Sequence, residues 1–274
     1  MEITSTMKKK KTGLISKPLL KQSIKANWVL WVISTAVICL FVVLITSMMS
    51  SSTIVDMLKA QRGNNFDINA LLGNMFYGMM GPMVPIIYIV ITANGLVASQ
   101  VDRGSMAYVL STPTKRSTVA VTQMLFLIGS LFITFTLLSI FAMASQAAVF
   151  GNVAVGNTLL MNLGCFIEMT AIAGICYMCS CLFNLSKYSL GIGGGIAVWF
   201  FLAKMLGNFG DPAMPMGADA LKIFNYTTMF SLFDTQSIVE GTTAYIWKLA
   251  ILVAVAVVTF AVGITRFKKK DLPL

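Results

Sequence analysis

The sequence predicts an all-α integral membrane domain of six transmembrane helices, on three observations. Of its 274 residues, 57% are hydrophobic and only 11% charged, against roughly 25% charged in an average soluble domain. Six apolar stretches, at 28–49, 75–97, 119–144, 159–183, 188–206 and 246–267, are each at least 19 residues long. At about 1.5 Å per residue, each can cross a hydrocarbon core of about 30 Å as a helix. Alternation with a period of two is absent, which argues against a membrane barrel. The domain organisation that follows is a basic amino-terminal segment (1–27), a single six-helix domain (28–267) and a basic tail (268–274).

Ahead of the first span, Lys17, Lys21 and Lys25 recur every four residues among Ile15, Leu19, Leu20 and Ile24, a pattern suited to a helix lying in the membrane interface. The first span is too long for the apolar core of a signal peptide and no small-residue cleavage site follows it, so it is expected to remain as an anchor. The second contains Gly78, Gly81, Pro82 and Pro85. A proline inside a helix removes a hydrogen bond and clashes with the preceding turn, so a kink is expected there, and bent helices often border a pathway.

The connection between the second and third spans runs over residues 102–116, far longer than two antiparallel helices need. It has a helix-compatible middle, a Thr112-Pro113 stop and the basic pair Lys115-Arg116. In the fourth span stands Glu168, the one acidic residue inside a span. A charge near mid-membrane costs on the order of 2.5 to 3.5 kcal/mol on insertion scales, so Glu168 should face protein or a watery cavity. It is expected to line a pathway or the interface with a second copy, or else to act as a protonated carboxyl holding helices together. The fifth span opens with Gly191, Gly193, Gly194 and Gly195, small residues that admit a close neighbour. The connection 207–245 then carries an aromatic run at 221–234. Such apolar surface is unstable in water, so it is expected to dip into the membrane or cap the bundle.

Charge sets the orientation. With six spans both ends share a side, and that side holds Lys8 to Lys11, Lys17, Lys21, Lys25, Arg103, Lys115, Arg116, Lys187, Arg266 and Lys268 to Lys270, fifteen of the 20 basic residues. Short cytoplasmic flanks retain Lys and Arg, so both termini are expected in the cytoplasm, in a plasma membrane, with a bacterial setting expected as well. The opposite side has Lys59, Arg62, Lys204, Lys222 and Lys248 against Asp56, Asp67, Asp211, Asp219, Asp234 and Glu240 and is near neutral. The net charge of +10 is thus a topology signal, with attraction to anionic lipid beside it. It is not a nucleic-acid signal, since no basic-aromatic patch accompanies it.

Catalytic and metal motifs are largely excluded. There is no histidine, and of the five cysteines Cys39 lies in the first span and Cys165, Cys176, Cys179 and Cys181 in the fourth. On a helix Cys176 and Cys179 share a face while Cys181 does not, and no second ligand cluster completes a tetrahedral site. Small buried thiols at a helix interface are the better reading. Residues 151–158 nearly spell a phosphate-binding loop, but Asn157 stands where the lysine must be. Asn225-Tyr226-Thr227 fits a glycosylation acceptor, a triplet common by chance. Energy for any work must therefore come from another chain.

Three places resemble the membrane subunit of ABC transporters of the ABC-2 type. Asp102-Arg103-Gly104-Ser105, Leu110-Ser111-Thr112-Pro113 and Lys115-Arg116 are similar to that family's acidic residue, glycine, Leu-Ser-Thr-Pro and basic pattern, with aspartate where glutamate is common. Residues 17–28 resemble its helix leading into the first span, and Arg266-Phe267-Lys268-Lys269-Lys270-Asp271-Leu272 its carboxy-terminal ending. The resemblance implies a non-catalytic half-transporter that binds no cofactor itself. Two such subunits, identical or paired with a relative, would join two cytoplasmic ATPases that carry ATP and magnesium. Asp102, Arg103, Gly104, Leu110, Pro113, Lys115 and Arg116 would couple to those ATPases, with 184–187 as a minor second contact. Glu168, Pro82 and Pro85 would belong to the pathway or subunit interface. The implied activity is export of an amphipathic or hydrophobic cargo, such as a bacteriocin, other peptide toxin or drug, which would link the protein to antimicrobial resistance. The rival expectation is a membrane protein that works without an ATPase, an immunity protein or a secondary carrier.

Overall fold

The structure, a computed structural model, describes residues 13–49, 51, 76–78, 81–111, 114–209 and 219–270. Every regular element among them is helical. Six segments are long and apolar enough to cross a membrane: Lys17–Met48, Phe76–Asp102, Arg116–Phe150, Val155–Leu182, Ser186–Phe209 and Ala244–Lys269. The chain is a multi-pass membrane protein. Residues 8–11, the basic and acidic residues at 56, 59, 62, 67 and 211, and the tail from 271 lie outside the described residues.

Helix α1 (Lys17–Met48) begins with Pro18 in its first turn, where a missing N–H does no harm, and runs 32 residues without interruption. The helix expected to lie apart along the interface is thus continuous with the first span. No glycine or second proline stands between Pro18 and Met48 to part them. Its start is held to the third span, where Ser16 N–H donates to Thr122 Oγ1 at 3.0 Å and Thr118 Oγ1 donates to Gly13 O at 3.2 Å.

The second span is assembled from pieces. Gly81 N–H donates to Phe76 O at 2.6 Å, and a Cβ on Gly81 would stand 2.9 Å from that oxygen. Helix α2 (Met83–Leu96) starts after Pro82, which places Pro85 in its first turn, where no intrahelical bond is lost. The expected kink is therefore a break followed by a fresh helix. A further break at Val97 (φ −124°, ψ −71°) separates α2 from α3 (Ala98–Asp102). There Ala98 N–H donates to Ser180 Oγ at 2.9 Å, so a fourth-span side chain satisfies backbone that the break exposes.

Helix α4 (Ser105–Ser111) lies in the connection, α5 (Arg116–Phe150) is the third span and α6 (Val155–Leu182) the fourth. The fifth combines α7 (Ser186–Ser189), a π-helical turn (Leu190–Gly194) and α8 (Gly195–Phe209). Two 3-10 turns (Asp219–Tyr226 and Met229–Leu232) and α9 (Thr235–Val239) lead to the sixth span, α10 (Ala244–Lys269).

In the apolar windows, 65% of the second span and 61% of the fourth are buried inside the protein, against 28% for the fifth and sixth. The second and fourth spans are therefore the centre. Small residues let α6 meet its neighbours backbone to backbone. A Cβ on Gly263 of α10 would lie 3.2 Å from Met178 Cα, and one on Gly193 would lie 3.2 Å from Cys179 Cβ. Gly194 packs on Val90, whereas Gly191 and Gly195 face open space, so two of the four flagged glycines make the seam. Cys176 Sγ donates to Gly193 O at 3.6 Å in the same seam, and all five cysteines are buried free thiols.

Interhelical hydrogen bonds fix the register. Trp31 Nε1 donates to Ser130 O and Thr134 Oγ1 at 3.1 and 2.9 Å, Tyr88 OH donates to Ser130 Oγ at 2.7 Å, and Tyr177 OH donates to Ala120 O at 2.8 Å. Filling the close seams should be costly. Gly193→Leu and Gly263→Leu are each expected to destabilise the purified protein by about 1–3 kcal/mol. Gly129→Ala, with nothing within 4 Å of the added carbon, is expected to be neutral or to stabilise by up to about 1 kcal/mol. Thermal unfolding in detergent checks both.

Candidate functional site

Six spans place both chain ends at one end of the bundle, and the connection 102–116 lies at that end. Gly104 has φ +71°, left-handed backbone that a side chain would strain, and it turns the chain from α3 into α4. Helix α4 buries Met106 and leaves Tyr108 82% exposed. Thr114 Oγ1 donates to Val109 O at 3.1 Å, drawing the far side of the loop back onto this helix. Pro113 and the side chain of Leu110 lie outside the described residues.

The two ends of the connection are tied to different spans. Asp102 Oδ2 accepts from Ser186 N–H at 3.2 Å, and Ser186 Oγ accepts from Asn94 Nδ2 at 2.7 Å. The carboxylate thus meets the first turn of the fifth span, the 184–187 region that the sequence offered as a second contact. At the other end, Arg116 Nη1 donates to Lys270 O at 2.7 Å, and Lys270 Nζ donates to Cys181 O at 3.0 Å. Partial burial pushes the Lys270 ammonium below the usual lysine range. The third, fourth and sixth spans meet through this one lysine.

Two kinds of residue therefore share the segment. Asp102, itself exposed, and the half-buried Arg116 are bonded to other spans of the subunit, while Arg103 and Lys115 are exposed. Tyr108 joins the exposed group. Its signal in the sequence was a large aromatic in a short polar segment, but only the helix that buries Met106 tells which way it faces.

At the opposite end the residues from 219 onward fold back onto the bundle. Thr228 Oγ1 donates to Phe200 O at 2.7 Å, and Phe230 and Phe233 are buried. Phe233 packs so closely on Gly164 that a Cβ there would stand 2.9 Å from its Cδ2. Asn225, in the glycosylation triplet, is half-buried and donates to Gly207 O at 3.3 Å. Asp234 accepts from Lys248 Nζ at 2.6 Å and from Ser237 N–H and Oγ at 3.0 and 2.7 Å. Burial alone would push its carboxyl up, but Lys248 and Ser237 outweigh that and hold it below the usual range.

Glu168 sits one turn along α6 from Gly164. It is 1% exposed, and neither carboxylate oxygen has a hydrogen-bond partner among the described residues. Lys204 of α8 is within electrostatic reach and also feels Asp234 and Lys248. Glu168 is thus buried among the helices of this chain. Pro82 and Pro85 are likewise buried, at the break in the second span. Tyr77, just before that break, meets the Phe233 ring edge-on at 6.5 Å. Because a buried acceptor with no donor carries a desolvation cost, Glu168→Met is expected to stabilise the protein by about 1–3 kcal/mol. Asp234→Ala, which loses a helix cap, is expected to destabilise it by about 1 kcal/mol. Melting temperatures of the two variants give the comparison.

A family model described as ABC-2 family transporter protein matches residues 15–272. No curated protein and no solved structure matches the chain. The matched stretch takes in all six spans and the tied connection between the second and third, and on that basis the chain belongs to the ABC-2 transporter family as a permease subunit of an ABC transporter.

Proposed function

We propose that this permease is the membrane half of an ATP-driven exporter, paired with a second permease subunit, identical or related, and with two cytoplasmic ATPases. The basic residues gathered at the end bearing the termini support a cytoplasmic location for that end. ATP and magnesium belong to the ATPases; this chain contributes the pathway and the lever. The cargo is amphipathic or hydrophobic, a peptide toxin, bacteriocin or drug, in keeping with spans rich in methionine and phenylalanine and poor in charge.

The observation that carries the reading is the wiring of residues 102–116. One end is bonded to the fifth span through Asp102 and Ser186. The other is bonded through Arg116 and Lys270 to the ends of the sixth and fourth. A push on α4 therefore reaches the second, third and fifth spans directly, and the sixth and fourth through Lys270. Arg103, Tyr108 and Lys115 form the outward face that an ATPase surface would grip. Packed elements with discrete arrangements turn such a push into rigid tilting rather than local deformation.

Arg103→Ala combined with Lys115→Ala is expected to weaken co-purification with the ATPase roughly ten-fold, the effect of losing about 1.4 kcal/mol at a contact. Its melting temperature should stay near that of the parent, since both side chains are exposed. Asp102→Ala and Arg116→Ala are expected instead to preserve ATPase binding while lowering cargo-stimulated hydrolysis in lipid discs. Cargo movement that persists in cells lacking the ATPase would overturn the reading and leave a stand-alone membrane protein in its place.

A further inference from the structure

Where the fourth and sixth spans end together there is an open recess of about 510 Å³, lined by Cys181, Leu182, Thr265, Arg266, Lys269 and Lys270. Two of its three cations are uncommitted. Lys270 is spent on Cys181 O, but Arg266 and Lys269 are exposed and have no hydrogen-bond or ion-pair partner among the described residues. Among the described residues no acidic side chain lines the recess. Unpaired like charges held together around a concavity attract an anion, and the guanidinium fork suits a phosphoryl group in particular.

The depth of the recess narrows the choice of anion. Helix α10 carries no charge from Leu249 to Ile264 and is apolar there but for Thr259, whose hydroxyl bonds back to its own helix, so Thr265 and Arg266 stand where it leaves hydrocarbon. Helical periodicity puts Ile251, Val258 and Val262 on the face that ends at Thr265, Arg266 and Lys269. Those three side chains are 40%, 59% and 37% exposed. An apolar stripe thus runs straight into a basic cup, matching a molecule with a hydrocarbon tail and a phosphoryl head. Lys268 lies off this face and does not line the recess.

We propose that the recess binds the phosphodiester headgroup of an anionic membrane lipid, with its acyl chains along Ile251, Val258 and Val262. A juxtamembrane cation adds about 1 kcal/mol of attraction to anionic lipid. Removing Arg266 and Lys269 together should therefore weaken binding about thirty-fold.

The test uses the full chain in detergent. Binding of phosphatidylglycerol, of phosphatidylcholine with the same acyl chains and of inorganic phosphate is measured by native mass spectrometry and thermal shift. The expected result is preference for phosphatidylglycerol, lost in Arg266→Gln/Lys269→Gln and retained in Lys268→Gln. Equal binding of inorganic phosphate, lost in the same double variant, would support the anion site but place its ligand in the aqueous phase. Unchanged phosphatidylglycerol binding in the double variant, or an equal loss in Lys268→Gln, would overturn the proposal. If the double variant weakened only association with the ATPase, the face would belong to a protein partner and the lipid site would fall.

Discussion

Backbone polar groups in hydrocarbon must find partners within the protein, because each one left unsatisfied costs several kcal/mol. Most of this bundle meets that demand with uninterrupted helix. The exceptions are grouped in the second and fifth spans, at Gly81, Val97 and the π-helical turn from Leu190, and α6 is the unbroken neighbour that makes two of them tolerable. Ser180 of α6 bonds the N–H freed at Val97. Cys176 of α6 bonds the carbonyl of Gly193 inside the π turn. An irregular backbone survives at membrane depth here because it is packed on a regular one.

The same arrangement gives residues 102–116 their place. A loop of this length attached only through its own flanking helices would move independently of the bundle. Here Asp102 meets the first turn of the fifth span and Arg116 meets the carbonyl that ends the sixth. The segment is thereby part of the frame, with Arg103, Tyr108 and Lys115 exposed beside the residues that brace it. Charge in this region has two physical roles, and residue type alone does not separate them, since each role uses a basic side chain.

The opposite end handles charge differently. Asp234 and Lys248 stand partly exposed, where water screens the pair and Ser237 completes the acceptor's shell. Glu168 lies deeper, 1% exposed and with no donor to either oxygen among the described residues. A carboxyl buried in that way places a polar demand among apolar helices, with Lys204 of the fifth span within electrostatic reach.

Composition and the length of apolar runs determined the number of spans, their order and the shared end of the termini, because crossing a fixed thickness of hydrocarbon leaves the chain little choice. The glycine cluster of the fifth span, the buried cysteines and the long connection were equally legible, since small size and excess loop length are local properties. Tertiary structure alone decided that α1 absorbs the segment before it, that Pro82 starts a helix rather than bending one, and that Val97 breaks another. Those outcomes depend on which neighbour supplies a hydrogen bond. It also sorted Asp102 and Arg116 from Arg103 and Lys115, enclosed Glu168 within the subunit, and gathered Arg266 and Lys269 around a recess with Leu182. The partners of a side chain lie tens of residues away, and a sequence read in order carries no measure of that distance.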